Sequence, residues 1–230
     1  MVGWSKVIAS AMTYIDDVRW REELAANPAI FFRSKIDWVK KALGDLNRPP
    51  ELYAYLTGGI KEPAYDDFEW TSTEASTTEE TVVQTGKTGF GLCSVGMYDA
   101  DGTHMMPYDA SYDAETGEVT FPVQTAAGIR YSIDFYTDGE FPDMTVRQMD
   151  LFASSLAVVW DTRFDRNFLN IQAKVHDSAF NVVNEGNYTE KINQRLMRNT
   201  QLFRDKLNKY EQDCAYSARF KGQKTPVVLV

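Results

Sequence analysis

Helical periodicity resumes at residue 145, in the stretch TVRQMDLFASSLAVVWDTRF, residues 145–164. Thr145 and Gln148 have capping-box spacing, which predicts that a helix begins here. Apolar residues then recur at steps of three and four, at Met149, Phe152, Leu156 and Val159. This stretch therefore predicts a helical core built on the C-terminal third of the chain.

Two further helices are predicted after this one. A second helical pattern covers residues 168–182, and Asn187 and Glu190 are placed to start a third helix. In the third helix two interleaved series of residues are seven apart, namely Leu196, Phe203 and Tyr210, and Thr200, Leu207 and Cys214. So narrow a seam suits packing against one neighbouring helix, either of the same chain or of another copy.

Aromatic and charged residues are concentrated between the first two helical patterns, in the cluster WDTRFDR at residues 160–166. Trp and Arg dominate the energetics of protein interfaces. One interpretation is therefore an interface hot spot that contains Trp160, Arg163, Phe164 and Arg166. The other interpretation is a helix junction with internal ion pairs, and both remain open.

The chain closes with an apolar segment, TPVVLV at residues 225–230. Pro226 cannot donate a backbone hydrogen bond and favours an extended chain before it. The strand-forming residues that follow are too few to make a sheet alone, and they are Val227, Val228, Leu229 and Val230. We expect residues 222–230 to form an arm that is disordered or loosely held in the monomer. In an assembly the arm would complete a sheet edge on another subunit or partner.

The first 62 residues predict a small helical unit. Residues 3–24 indicate one amphipathic helix, and Asn27-Pro28 indicates the start of a second. Gly44 is placed to follow the end of that second helix, and residues 51–56 form a short third helix after Pro49-Pro50.

Strand patterns and turn residues fill residues 63–144. Turns are predicted at residues 99–102 and 115–117. Apolar residues alternate over residues 129–135, with Ser132, Asp134 and Tyr136 on the opposite face, which predicts a half-buried strand. The segment therefore predicts a small antiparallel sheet or sandwich.

Together these patterns predict an α+β fold, in which a helical bundle core from both chain ends carries an inserted small antiparallel β domain. The predicted segments are an N-terminal helical segment (1–62), an acidic β-rich insertion (63–144), a C-terminal helical core (145–221) and an extended arm (222–230).

Charge divides the chain in the same way. Residues 63–144 carry 16 acidic and 2 basic residues, a net charge of −14, whereas residues 145–230 carry a net charge of +4. So acidic a segment is expected to repel nucleic acid. No apolar run approaches the ~20 residues of a membrane span, and the first residues do not resemble a signal peptide. We therefore expect the protein to be made in the cytoplasm.

Candidate chemistry is sparse in this sequence. Gly86-Lys87-Thr88 lacks the first glycine of a phosphate-binding loop, because Thr81 occupies that position, so a turn is the better interpretation. Asp99, Asp101 and Asp109 do not have the spacing of a calcium loop, which leaves only an irregular cation site open. We predict no enzyme activity, no cofactor and no metal site.

Neither cysteine completes a catalytic or metal-binding motif. Cys93 and Cys214 show no zinc or disulfide pattern, and pairing either one with His104 or His176 as a nucleophile and base would be a guess. Both cysteines are expected to be small buried hydrophobic residues.

The order of a small helical unit, an inserted β domain, a helical core and an extended arm resembles the head–tail connector (adaptor, or neck) proteins of tailed bacteriophages. Local stretches are similar to phage virion proteins as well: DDVR (16–19), NPAIFFR (27–33), RPP (48–50), YDDFEW (65–70), residues 160–168 and NEGN (184–187). The resemblance covers most of the chain in outline.

The resemblance implies a homo-oligomeric ring in the virion, commonly of twelve copies, placed between the portal protein and the tail or neck proteins. Such a ring extends the channel through which DNA passes, without binding DNA in a sequence-specific way. Other minor capsid, tail or baseplate components fit the same features. A second class is a β-sandwich that binds carbohydrate or peptide through an exposed aromatic face, for which the candidates are Tyr98, Tyr108, Tyr112, Tyr131 and Tyr136.

Overall fold

The computed structural model describes residues 1–15, 18–73, 79–99, 101–102, 105–122, 127–175 and 185–220. The helices are α1 (Trp4–Ala11), α2 (Val18–Ala26), α3 (Pro28–Asp45), α4 (Pro50–Thr57), α5 (Val146–Val175) and α6 (Glu185–Phe220). The strands are β1 (Val2–Gly3), β2 (Ala64–Thr71), β3 (Thr81–Gln84), β4 (Leu92–Tyr98), β5 (Met105–Tyr108), β6 (Ser111–Asp113), β7 (Glu118–Phe121), β8 (Arg130–Thr137) and β9 (Glu140–Phe141). Every strand except β1 lies between the two helical regions, so the predicted α+β fold class is confirmed.

The chain divides into two compact units. One unit contains residues 1–8, 16–37 and 60–141, and the other contains residues 9–15, 38–59 and 142–230. We call them the β unit and the helical unit. The units group residues by contact, whereas the four segments predicted from sequence follow chain order, so those segments remain a prediction.

Two antiparallel sheets enclose the core of the β unit. One sheet has the strand order β2-β8-β4-β5 and the other has the order β3-β7-β6. Their inward-facing side chains share one buried cluster, formed by Val83, Val95, Val119, Phe121, Tyr131, Ile133 and Phe135. The sandwich predicted for this part of the chain is therefore present, and β2, β5, β3 and β6 are its edge strands.

Strand β8 is buried on both faces, in contrast to the half-buried strand predicted from its alternation. Asp134 and Tyr136, expected on a solvated face, are 5% and 2% exposed. Asn27 donates a hydrogen bond from Nδ2 to Oδ2 of Asp134 at 3.1 Å, and the ring of Phe32 stacks on Tyr136 with 5.6 Å between centroids. The first turns of α3 thus cover this face, a long-range contact that periodicity does not reveal.

Helix α5 forms the centre of the helical unit. Its buried residues include Leu151, Phe152 and Leu156, and Ser155 donates a hydrogen bond to the carbonyl oxygen of Ala42 on α3 at 3.1 Å. Helix α6 packs against α5 within the same chain. Of the predicted seam, Tyr210 contacts α5 through a hydrogen bond with Gln148; packing of the rest of the seam, within the subunit or against another copy, stays a prediction.

The two helix starts that were predicted from capping residues are confirmed. The backbone N–H of Thr145 donates to Oε1 of Gln148 at 2.9 Å, and the N–H of Gln148 donates to Oγ1 of Thr145 at 3.2 Å, so the predicted capping box starts α5. Asn27 caps α3 by accepting a hydrogen bond from the N–H of Ile30 at 3.0 Å.

Three helix boundaries differ from the predictions. The single helix expected at residues 3–24 is interrupted after Ala11, where the hydroxyl of Thr13 donates to the carbonyl oxygen of Ser10 at 2.7 Å and turns replace the helix. Gly44 lies inside α3, which continues to Asp45. The predicted break after residue 159 is absent, because residues 146–175 contain no Gly or Pro and α5 continues through them.

The start of α6 also differs from the prediction. The helix begins at Glu185, so Gly186-Asn187 lies in its first turn rather than before it.

Candidate functional site

The aromatic and charged cluster predicted as an interface lies on α5, and α3 completes it. The rings of Trp160 and Trp38 pack with 4.9 Å between centroids. The guanidinium of the exposed Arg163 lies 5.3 Å from the centre of the Trp38 ring. Both Trp residues are half-buried, so this tryptophan–arginine cluster presents a partly exposed aromatic surface with a cation over it.

The other predicted interface residues lie partly or wholly outside the described residues. Phe164 and Arg166 lie within α5, but their side chains are outside the described residues. Pro226, Val227, Val228, Leu229 and Val230 are also outside the described residues. Trp38, which completes the cluster, was not among the predicted interface residues.

A buried polar network lies beside the tryptophan pair. Asp161 is fully buried, its Oδ1 lies 2.8 Å from Nε of Arg195, and its Oδ2 accepts a hydrogen bond from Asn199 at 2.7 Å. Burial raises the pKa of Asp161 more than Asn199 and Arg195 lower it. An internal ion pair is therefore present, and it joins α5 to α6 rather than the two helical patterns on either side of the cluster, which form one helix.

A second polar cluster joins α6 to the turn after α1. The hydroxyl of Tyr14 donates to Asp150, and Nζ of Lys206 lies 2.6 Å from both Asp150 Oδ2 and the Tyr14 hydroxyl. Burial acts to raise the pKa of Asp150, but the hydrogen bonds from Lys206 and Tyr14 outweigh it, so the pKa is lowered. This cluster fixes the register of α6 within the helical unit.

The outward face of α6 carries both basic and apolar side chains. Successive helix positions are rotated by about 100°, so the side opposite the seam can be read directly from the sequence numbers. The exposed residues at the centre of that side are Gln194, Gln201, Asp205 and Gln212, and those on one flank of it are Lys191, Arg198, Leu202, Lys209 and Tyr216. That flank carries three basic residues together with an exposed leucine and an exposed tyrosine.

The β unit carries the opposite charge. Its exposed acidic residues include Asp67 and Glu69 on edge strand β2. Others are Glu79, Glu80, Asp101, Asp109, Asp113 and Glu115. Arg33 pairs with Asp67 at 3.3 Å, and Lys87 pairs with Asp66 at 2.5 Å. Lys87, considered above as part of a phosphate-binding loop, thus faces a carboxylate.

The tyrosines considered as an aromatic binding face point largely into the structure. Tyr131 is 1% exposed and belongs to the sandwich core, and Tyr136 is buried on the opposite face of β8. Tyr108 and Tyr112 pack against the same core. Arg130 lies over the ring of Tyr98, 4.0 Å from its centre.

The other residues considered as candidates for chemistry are the two cysteines, the aspartates near residue 99 and the two histidines. Cys93 and Cys214 are free and half-buried, and burial raises the pKa of the Cys93 thiol to about 12. The N–H of Gly102 donates to the carbonyl oxygen of Asp99 at 2.9 Å, which makes this stretch a turn. His104 and His176 lie outside the described residues.

In the described part of the chain, the carboxylate, thiol and imidazole side chains form no group of three or more that could hold a metal ion. None of the helices described there is long and apolar enough to cross a membrane.

Comparison with known proteins gives no relative from which a role can be transferred: no family model, no curated protein and no solved structure matches the chain.

Proposed function

We propose that this chain is a structural subunit of a tailed-bacteriophage virion, a head–tail connector (adaptor) protein. Copies of the chain form a ring that joins the portal protein to the tail and extends the DNA channel. The chain is made in the cytoplasm of the host bacterium and ends in the virion. DNA passes through the ring without sequence-specific contacts.

The observation that carries this proposal is the opposite charge of two surfaces on different units. The outward face of α6 presents Lys191, Arg198 and Lys209, whereas edge strand β2 presents Asp67 and Glu69. A contact between two different surfaces of identical chains is heterologous, and heterologous contacts generate rings when the rotation closes. Opposite charges favour that contact and disfavour contacts between like surfaces.

The tryptophan–arginine cluster supports the same proposal. Trp38 and Trp160 are half-buried and Arg163 is exposed above them. Side chains of these types anchor protein interfaces when a partner covers them. The acidic β unit is suited to a surface that DNA slides past, because its charge repels phosphate.

A mass measurement tests the proposal. The purified chain is measured alone and after mixing with a candidate portal protein from the same phage. We expect one closed oligomer of defined copy number, and a larger complex when the portal is present. A chain that stays monomeric in both samples would contradict the connector function.

A further inference from the structure

A groove in the helical unit is left unfilled by the interactions described above. It has a volume of about 440 Å³ and lies among α4, the first turn of α5 and the last turns of α6. Its apolar and aromatic lining consists of Pro49, Leu52, Tyr55, Tyr210, Cys214 and Ala215. Glu51, Glu211 and Gln148 complete the lining.

The polar groups of Gln148, Tyr210 and Tyr55, which line the groove, already form hydrogen bonds within the chain. Nε2 of Gln148 donates to the hydroxyl of Tyr210 at 3.0 Å, while Oε1 of Gln148 accepts the capping bond from Thr145. The hydroxyl of Tyr55 donates to the carbonyl oxygen of Asp143 at 2.7 Å. The tyrosines therefore offer ring surface rather than free hydroxyl groups, and an apolar occupant fits this lining better than a polar one.

Charge narrows the choice of occupant. The charged side chains in the lining are the carboxylates of Glu51 and Glu211, and the nearby guanidinium of Arg147, over the Tyr210 ring, is paired with Asp213. A suitable occupant is therefore an apolar segment with basic residues beside it. Residues 226–230 read PVVLV, and Lys221 and Lys224 come just before them.

Chain length allows this segment to reach the groove of its own chain. Helix α6 ends at Phe220, and the groove residues on α6 lie at positions 210–215. The five residues from Ala215 to Phe220 span about 7.5 Å along a helix, whereas residues 221–225 can span up to roughly 17 Å when extended. Gly222 within that link permits the chain to reverse its direction.

The other apolar segment outside the described residues is too far away. Residues 176–184 connect the end of α5 to the start of α6. The groove lies at Gln148, and the 27 residues from there to Val175 correspond to about 40 Å of helix. Nine residues tied to the distal end of α5 cannot cover that distance (about 30 Å at full extension).

We propose that this groove binds the C-terminal segment 226–230 of its own chain. An attached segment is present at an effective concentration of the order of millimolar, which favours the chain's own segment over that of a second copy. The apolar side chains are thereby sheltered before assembly, and strand addition to another subunit requires their release. This inference goes beyond the connector function and does not depend on it.

Disulfide trapping tests the proposal, because Cys214 is itself a groove residue. The variant Cys93→Ser/Leu229→Cys leaves two thiols, at positions 214 and 229. A disulfide forms only when the two Cα atoms approach within about 7 Å. Under mild oxidation we expect a 214–229 link within one chain, detected by peptide mass spectrometry, at a yield that does not change on dilution.

A matched control moves the groove thiol off the groove. In Cys93→Ser/Cys214→Ser/Gln212→Cys/Leu229→Cys the thiol lies at the exposed position 212, which is rotated by about 200° around α6. Linking in this control should be at least tenfold slower. Equal rates in the two variants would overturn the proposal, and so would links that form only between chains. Circular dichroism verifies that both variants fold, and a separate mass measurement keeps the result distinct from ring formation.

Discussion

Asn199 on α6 donates a hydrogen bond from Nδ2 to Oδ2 of Asp161 on α5, at 2.7 Å and with both residues buried. Arg195 holds the other carboxylate oxygen at 2.8 Å. Both carboxylate oxygens of Asp161 thus have a partner on α6, which ties the two long helices together in one register. A buried charge that loses one of its partners is costly, so this contact has a measurable consequence.

We predict that Asn199→Ala destabilises the helical unit by about 1–3 kcal/mol, the usual cost of leaving a buried polar group without its hydrogen bond. Urea unfolding followed by far-UV circular dichroism measures the change. Asn208→Ala is the matched control, since Asn208 is exposed on the same helix. If the two variants unfold at the same urea concentration, the network does not stabilise α6 as described.

Arg163 has a different predicted effect, on assembly rather than on folding. Its guanidinium lies over Trp38 at an exposed position, where a cation–π contact contributes about 0.5–1 kcal/mol. We expect Arg163→Ala to lower the free energy of unfolding by no more than that, while weakening self-association clearly. Sedimentation velocity measures the association. Assembly at the wild-type protein concentration would exclude the tryptophan–arginine cluster from the interface.

Asp134 predicts a pH dependence of the β unit. Burial raises the pKa of its carboxyl more than the hydrogen bonds from Asn27 and Ser132 and the charge of Arg33 lower it. A raised pKa in the folded state means that the protonated carboxyl favours folding. This contribution is complete below the pKa of the unfolded chain and is lost as pH rises through the folded pKa.

We therefore expect Asp134→Asn to remove part of the loss of stability between acidic and neutral pH. Thermal melts across that range measure the slope. Asp109→Asn makes the same formal change on an exposed side chain and should keep the wild-type pH dependence. A wild-type slope in Asp134→Asn would show that burial of this carboxylate is not the cause.

The C-terminal segment should matter little for the stability of the isolated chain. Burying each Val or Leu side chain contributes roughly 1.5–3 kcal/mol, and ordering costs about 1–2 kcal/mol per residue. Deleting residues 225–230 should therefore leave the melting temperature nearly unchanged and weaken assembly. Unfolding of the truncated monomer would place these residues in the protein's own core and contradict the expectation.

Features set by neighbouring residues could be predicted from the sequence. Thr145 with Gln148 and Asn27 with Pro28 gave correct helix starts, because each cap forms within four residues. The burial of Asp134 could not be predicted, since its partner Asn27 is 107 residues away. The break expected near Trp160 was wrong because clustered charges do not end a helix that lacks Gly and Pro.

The same distinction holds for the candidate site. Trp160 and Arg163 were proposed as candidate interface residues from their chemistry, which stays a prediction. Their contact with Trp38 required the packing of α3 on α5, which no local pattern encodes. The exposed basic residues of α6, such as Lys191 and Lys209, recur at helical spacing and could be listed from the sequence alone.

The mass of the purified chain as a function of salt, compared between two charge-reversal variants, tests the central claim most directly. Lys191→Glu/Lys209→Glu reverses two charges on the outward face of α6, and Arg204→Glu reverses an exposed charge on another side of the helix. We predict one closed ring for the wild type and for Arg204→Glu, with dissociation as salt screens the contact, and monomers for the double variant. A wild-type chain that is monomeric at every salt concentration, or a double variant that still forms the ring, would contradict the account.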